Sequence, residues 1–279
     1  MKLYRIESGI LIESDEHLHL VEDRDWDAFI NDNALFEKAT DIVRSTPAIG
    51  DLGSVAIRKE LKPPVKSQEV WASGVTYFNS KLARQEEARD AGGGDFYTRV
   101  YVAQRPELFF KSAGFRVRGW GETLRIRDDS SWNVPEPELT LFITSTGNIV
   151  GYTIGNDMSS RSIEGENPLY LPQAKTYDGS CSIGPCLYVT GAALPKDTEI
   201  KMAVTRDNDV VFEGSTNLAQ MKRTLEELAS WLFRELSFPN GCFLMTGTGI
   251  VPPKEFTLDH GDEVRITIEP IGSLVNSIE

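Results

Sequence analysis

Long apolar runs are missing from this chain of 279 residues. Without a stretch of roughly twenty apolar residues no transmembrane helix is expected. Met1-Lys2-Leu3-Tyr4-Arg5 does not begin a signal peptide. Positive charge is also short: 29 Lys and Arg stand against 42 Asp and Glu, a net charge of −13. That balance argues against nucleic acid and against a membrane as partners. An anionic substrate then needs a local cation or metal to draw it in. Cysteine is scarce, and Cys181, Cys186 and Cys242 are too few and too oddly spaced for a disulfide framework or a zinc site. A reducing cytoplasm follows as the expected compartment. Only three histidines occur. His17 and His19 share a strand face, but no cysteine or carboxylate pattern surrounds them, so they read as solvent-facing strand residues.

What is present is the composition of a globular protein, 40% hydrophobic and 25% charged. The length suits one large domain with a small companion. Residues 1–65 read as a small α+β unit: Met1–Glu7 and Gly9–Glu13 pattern as a hairpin and His17–Leu20 as a third strand. Weak helical patterns follow over Asp25–Leu35 and Leu35–Arg44, and Pro63-Pro64 marks a linker. Residues 66–279 form the main unit. Its β-rich runs are short and separated by Gly, Pro, Asn and Asp: Val70–Gly74, Leu124–Ile126, Leu139–Ile143, Ile149–Ile154, Cys186–Thr190, Ile200–Arg206, Asp209–Gly214, Gly241–Thr246 and Glu263–Ile268. This spacing predicts a mixed α/β but mainly β fold, a barrel or roll. Helices are predicted over Ser80–Ala91 and Ala219–Leu236. Gly92-Gly93-Gly94 lacks the strand and the Lys-Ser/Thr of a phosphate loop, so it reads as a helix stop or a loop able to act as a lid.

Chemistry concentrates at Pro135-Glu136-Pro137-Glu138-Leu139. An apolar strand begins here, and residues at i and i+2 of a strand share a face. Glu136 and Glu138 therefore repel one another unless a cation lies between them. Asp157 ends the next apolar segment, Ile149–Asn156. Strand pairing that brings it to the glutamates completes an all-oxygen site for a hard ion such as Mg²⁺.

These residues resemble the metal-binding core of the fumarylacetoacetate hydrolase family. So do Gly151–Arg161, Lys175, Gly184-Pro185, Thr246-Gly247-Thr248 and Gly261–Val264, in order over Val70 to Leu274. The resemblance implies a β-barrel or roll around a metal, a small N-terminal domain, and a homodimer or homotetramer. Within the family the text is most similar to the group that dehydrates 2-keto-3-deoxy-D-arabinonate. Val70–Gly74, Arg105–Lys111 and Glu166-Asn167-Pro168-Leu169-Tyr170-Leu171-Pro172-Gln173-Ala174-Lys175 carry that similarity.

One departure bears on reaction type. The carbon–carbon hydrolases of the family place a histidine after a Gly-x-Asn-Tyr motif, to activate water. Here Gly74-Val75-Thr76-Tyr77-Phe78-Asn79-Ser80 puts Ser80 in that place. Without a positioned base for water, hydrolysis is disfavoured. Dehydration of a 2-keto-3-deoxy acid to 2,5-dioxopentanoate is the implied reaction. Mg²⁺, or Mn²⁺, on Glu136, Glu138 and Asp157 would stabilise the enolate left when a C3 proton departs. Glu107 and Lys175 are the implied proton-transfer residues, with acid and base roles open. Thr246, Gly247 and Thr248 suit a substrate carboxylate, and the resemblance over Val70–Gly74 implies Ser73 and Gly74 as further substrate contacts. Arg161 and Arg105 suit a carboxylate or sugar hydroxyls. The buried-looking cysteines lack a histidine and are not nucleophiles. Two rivals share these residues: a hydrolase or decarboxylase of acylpyruvate or oxaloacetate-type acids, and a non-catalytic ligand-binding member of the fold.

Overall fold

The computed structural model describes residues 1–50, 60–80 and 94–279. Strands β1 (Lys2–Ile6), β2 (Gly9–Ser14) and β3 (His17–Val21) form an antiparallel meander. β1 then pairs with β10 (Cys181–Tyr188), β10 with β8 (Ile149–Asp157), and β8 with β7 (Pro137–Ile143). β7 pairs with β13 (Cys242–Met245), which runs parallel to β4 (Glu69–Gly74), and β5 (Glu107–Ala113) closes the series. The result is one nine-stranded sheet with β3 and β5 at its edges. A second sheet has the order β12 (Asp209–Asn217), β11 (Glu199–Arg206), β14 (Glu263–Ile268), β15 (Gly272–Ser277). A short pair, β6 (Asn133–Val134) with β9 (Ser159–Ser160), sits beside them.

The mainly β expectation holds, but the large sheet is open, since its edge strands do not pair with each other. Residues 1–65, read from sequence as a unit of their own, supply three strands of that same sheet through the β1–β10 pairing. The sheet is covered on both faces, which explains why all seven residues of β7 are buried. Leu139, Leu141 and Ile143 face one apolar cluster together with Ile200, Val264 and Ile266. Phe142, on the other face, joins Phe243 at a centroid distance of 5.0 Å. Each such side chain taken out of water stabilises the fold by ~1.5–3 kcal/mol. Burying both faces makes the start of β7 a poor place for carboxylates unless something compensates them.

Helices are few and short: α1 (Trp26–Ile30), α2 (Leu35–Ser45), α3 (Gly94–Val102), α4 (Arg161–Glu166), α5 (Leu171–Lys175) and α6 (Leu225–Leu232) among the described residues. Helix α6 is shorter than the periodicity suggests. Thr224 caps it by accepting from the Glu227 backbone N–H, a Thr-x-x-Glu start that overrides the upstream apolar pattern. Leu124–Ile126 is not a strand; Leu124 makes one isolated bridge to Ile278. Of the helix expected over Ser80–Ala91, all but Ser80 lies outside the described residues, as do Gly92 and Gly93, while Gly94 opens α3. His17 is exposed as expected, but His19 is buried, with Nδ1 3.0 Å from the Thr46 carbonyl oxygen. No described helix is long and apolar enough to cross a membrane.

Candidate active site

The site is assembled where β7 begins and β8 ends. Antiparallel register sets Pro137 opposite Asn156 and Glu138 opposite Gly155. The same register carries Glu136 to Asp157, whose N–H donates to the Glu136 carbonyl at 3.0 Å. Ligand oxygens of Glu136, Glu138 and Asp157 lie within 4.8 Å of one another, and all three residues are buried. Burial, and then the charges of Asp157 and Glu136, push the Glu138 carboxyl well above the ordinary carboxylate range; Lys175 and the Gly247 N–H act the other way.

Two lysines and an arginine hold this cluster. Lys175 Nζ donates to Glu136 Oε2 at 2.9 Å, Asp157 Oδ2 at 2.9 Å and Ser159 Oγ at 2.6 Å. All three of its protons are thus engaged. Arg161 Nη2 donates to Glu136 Oε1 at 2.8 Å. Lys111, which carries no role in the sequence reading, is fully buried, with Nζ 2.6 Å from Asp157 Oδ1. It also donates to the carbonyls of Met158 and Lys175. The β4–β5 register passes from Phe110 to Ser112 and skips Lys111, so a bulge aims this side chain inward. The signal available in sequence was a lone lysine ending the apolar run Leu108-Phe109-Phe110. Replacing Lys111 with Met strands a buried Asp157 oxygen and two buried carbonyls. We expect a loss of ~3–5 kcal/mol of stability, read as a lowered midpoint in urea unfolding of the metal-free protein. An unchanged midpoint would show that the pair contributes nothing net.

Glu107 lines the same pocket, with Ser73, Gly74, Phe109, Glu164, Leu171 and Thr248. Gly74 pairs with Glu107 across β4 and β5. A Cβ on Gly74 would lie 2.2 Å from Glu107 Oε2, so the glycine supplies the seat for that carboxylate. Ser73 Oγ donates to the Glu107 carbonyl at 3.0 Å. Ser73 and Gly74 line the pocket and also serve Glu107 in this way. Thr246 is turned away, its hydroxyl donating to the Leu139 carbonyl at 2.8 Å. Gly247 spends its N–H on Glu138 Oε2 at 2.6 Å, and its φ of +92° with Thr76 packed against Cα admits only glycine. Thr248 lines the pocket while its hydroxyl is bonded within its own turn to Ile250. Arg105 is not at the site; its guanidinium lies over Trp231 at 4.7 Å. Cys181, Cys186 and Cys242 are buried thiols, and desolvation pushes Cys181 and Cys186 up to about 12. They are not nucleophiles at neutral pH. Glu164 is a second residue the sequence reading did not single out; it is buried, with Oε2 4.0 Å from Arg161 Nε. Its signal was the i, i+3 spacing from Arg161 on one helix.

The residues fit a hard divalent cation. Among the described residues at the site, the carboxylates Glu107, Glu136, Glu138, Asp157 and Glu164 face the cations Lys111, Arg161 and Lys175. Carboxylates outnumber cations among these described residues, a crowding that a bound cation would relieve. The donor set is all oxygen, the chemistry of Mg²⁺ or Mn²⁺ and not of zinc.

Comparison with known proteins gives a consistent set of likenesses. The family model described as fumarylacetoacetate (FAA) hydrolase C-terminal matches residues 88–279. The probable 2-keto-3-deoxyxylonate dehydratase of Haloferax volcanii is 49% identical over 217 residues, which is 77% of this chain and 73% of that protein. The 2-dehydro-3-deoxy-D-arabinonate dehydratase of Saccharolobus solfataricus is 41% identical over 230 residues, 82% of this chain and 76% of that protein. A solved structure of 2-keto-3-deoxy-D-arabinonate dehydratase complexed with magnesium and 2,5-dioxopentanoate superposes with a TM-score of 0.84 at 34% identity, covering 100% of this chain and 99% of that one.

Proposed function

The chain belongs to the fumarylacetoacetate hydrolase family, and on that premise we propose that it is a magnesium-dependent hydro-lyase of 2-keto-3-deoxy sugar acids. The reaction its relatives support is conversion of 2-keto-3-deoxy-D-arabinonate to 2,5-dioxopentanoate and water. The observation that carries the reading is the buried trio Glu136, Glu138 and Asp157, in one pocket with Glu107 and with no histidine among the lining residues. Glu136, Glu138 and Asp157 would hold Mg²⁺ or Mn²⁺, which when bound would supply Lewis-acid polarisation of the 2-keto acid.

The chain's own residues do the rest. A proton leaves C3 and the C4 hydroxyl leaves with a proton as water, forming a C3=C4 double bond. Loss of a C5 proton with reprotonation at C3 moves it to C4=C5. The enol so formed gains a proton at C4 and loses its O–H proton to give the C5 aldehyde. Glu107, a pocket carboxylate outside the trio, transfers the proton. Lys175, with its three protons aimed at Glu136, Asp157 and Ser159, holds those carboxylates in register and keeps a positive charge beside them. Arg161 fixes the other oxygen of Glu136. Phe109 and Leu171 add apolar surface to the pocket lining. The reading includes a homodimer or homotetramer working in a reducing cytoplasm, which the family resemblance and the three free buried thiols favour.

The test is a substrate panel. Purified protein with Mg²⁺ is offered 2-keto-3-deoxy acids and acylpyruvates, and products are identified by mass. We expect kcat/KM for the preferred 2-keto-3-deoxy acid to exceed that for any acylpyruvate by at least about a hundredfold, the low end of what a positioned base for water is worth. Acylpyruvate cleavage faster than every dehydration would sink the lyase reading.

A further inference from the structure

Glu164 is a buried carboxylate on the pocket wall that neither the metal trio nor proton transfer employs. It lies on α4, three residues and so one helical turn from Arg161. The Arg161 guanidinium spans the gap: Nη2 is 2.8 Å from Glu136 Oε1, and Nε is 4.0 Å from Glu164 Oε2. Glu164 therefore meets a different nitrogen of the guanidinium that binds Glu136, and it lines the same pocket. A 2-keto-3-deoxy acid with its carboxylate and ketone at the trio extends its hydroxylated end away from it. An ionised carboxylate only accepts hydrogen bonds, so it welcomes a hydroxyl and repels a second carboxylate.

We infer that Glu164 reads the terminal C5 hydroxyl of the substrate and excludes 2-keto dicarboxylic acids from the pocket. This deepens the lyase reading and rests on it. A buried wall carboxylate gains a hydrogen bond from a hydroxylated tail, none from an apolar one, and repulsion from an anionic one, which is how a polar site discriminates against an analogue lacking the hydroxyl. Arg161 is then a positioning residue, holding Glu164 and Glu136 on two sides of one cation.

The experiment compares two substrates that differ only at C5: 2-keto-3-deoxy-D-arabinonate and 4-hydroxy-2-oxopentanoate, whose C5 is a methyl group. The ratio of their kcat/KM values is measured in the parent, in Glu164→Gln and in Glu164→Leu, with Mg²⁺ throughout. A ratio is insensitive to the fraction of enzyme that folds. We expect the parent to prefer the hydroxylated substrate, and Glu164→Leu to lower that preference by about tenfold to a hundredfold, the worth of a hydrogen bond to a charged group. Glu164→Gln should fall between them. Oxaloacetate, assayed as a competitive inhibitor, should bind about tenfold more tightly to Glu164→Gln, while pyruvate, too short to reach Glu164, binds both equally. An unchanged ratio in both variants overturns the inference and leaves the lyase reading standing. If the parent dehydrates neither compound, the lyase reading falls and the inference with it.

Discussion

Glu138→Gln is expected to abolish Mg²⁺ binding measurable by calorimetry and to lower kcat/KM by on the order of 10³-fold. The side chain has two jobs. One oxygen already accepts from the Gly247 N–H at 2.6 Å, and the cluster with Glu136 and Asp157 calls on the carboxylate as a ligand. A carboxamide has one acceptor oxygen, so it can meet the Gly247 N–H or the cation, not both; its NH₂ faces whichever is left. The same substitution removes a buried charge that its neighbours repel. Without metal, the variant should therefore unfold thermally at or above the parent's temperature. This pairing separates loss of a ligand from loss of the fold. Glu136→Gln and Asp157→Asn should lose metal as well, and at a cost in stability, because Arg161, Lys111 and Lys175 would lose their partners. Normal Mg²⁺ affinity in Glu138→Gln would remove this residue from the metal site.

Glu107→Gln is expected to lower kcat by ~10²–10⁴-fold, the range for a positioned proton-transfer carboxylate, with Mg²⁺ affinity unchanged. Glu107 sits on β5, in the pocket that holds the trio and outside the metal-binding cluster. Its carboxylate rests against Gly74, where no side chain intervenes, and Gln occupies the same volume. Exchange of the C3 hydrogens in deuterated water divides the two roles. Lost exchange identifies Glu107 as the base at C3; retained exchange with lost dehydration identifies it as the acid at the C4 hydroxyl. Exchange and dehydration both at parental rates would make it a wall residue and nothing more. Gly74→Ala gives an independent check, since the new methyl group must push the Glu107 carboxylate aside. It should reproduce the fall in kcat while leaving the carboxylate chemically intact.

The composition, the β-rich punctuation and the order of short motifs determined the class of fold and the family. Strand period alone was enough to put Glu136 and Glu138 on one face, and an apolar segment ending at Asp157 supplied the third carboxylate. Such features are local, set by alternation and by the ends of apolar runs. Which groups compensate those carboxylates is not local. Lys111 is 46 residues from Asp157 in sequence and reaches it through a bulge in an edge strand. Gly247 reads as a substrate contact in sequence and lines the pocket, but that its N–H is bonded to Glu138, 109 residues away, shows only in the fold. The same long-range pairing joined β1 to β10, so that the amino-terminal strands, distinct by pattern, extend the main sheet. Propensity and periodicity decide what each segment is. Only tertiary packing decides which buried charges meet, because an ion pair between distant segments leaves no trace in the spacing of either one.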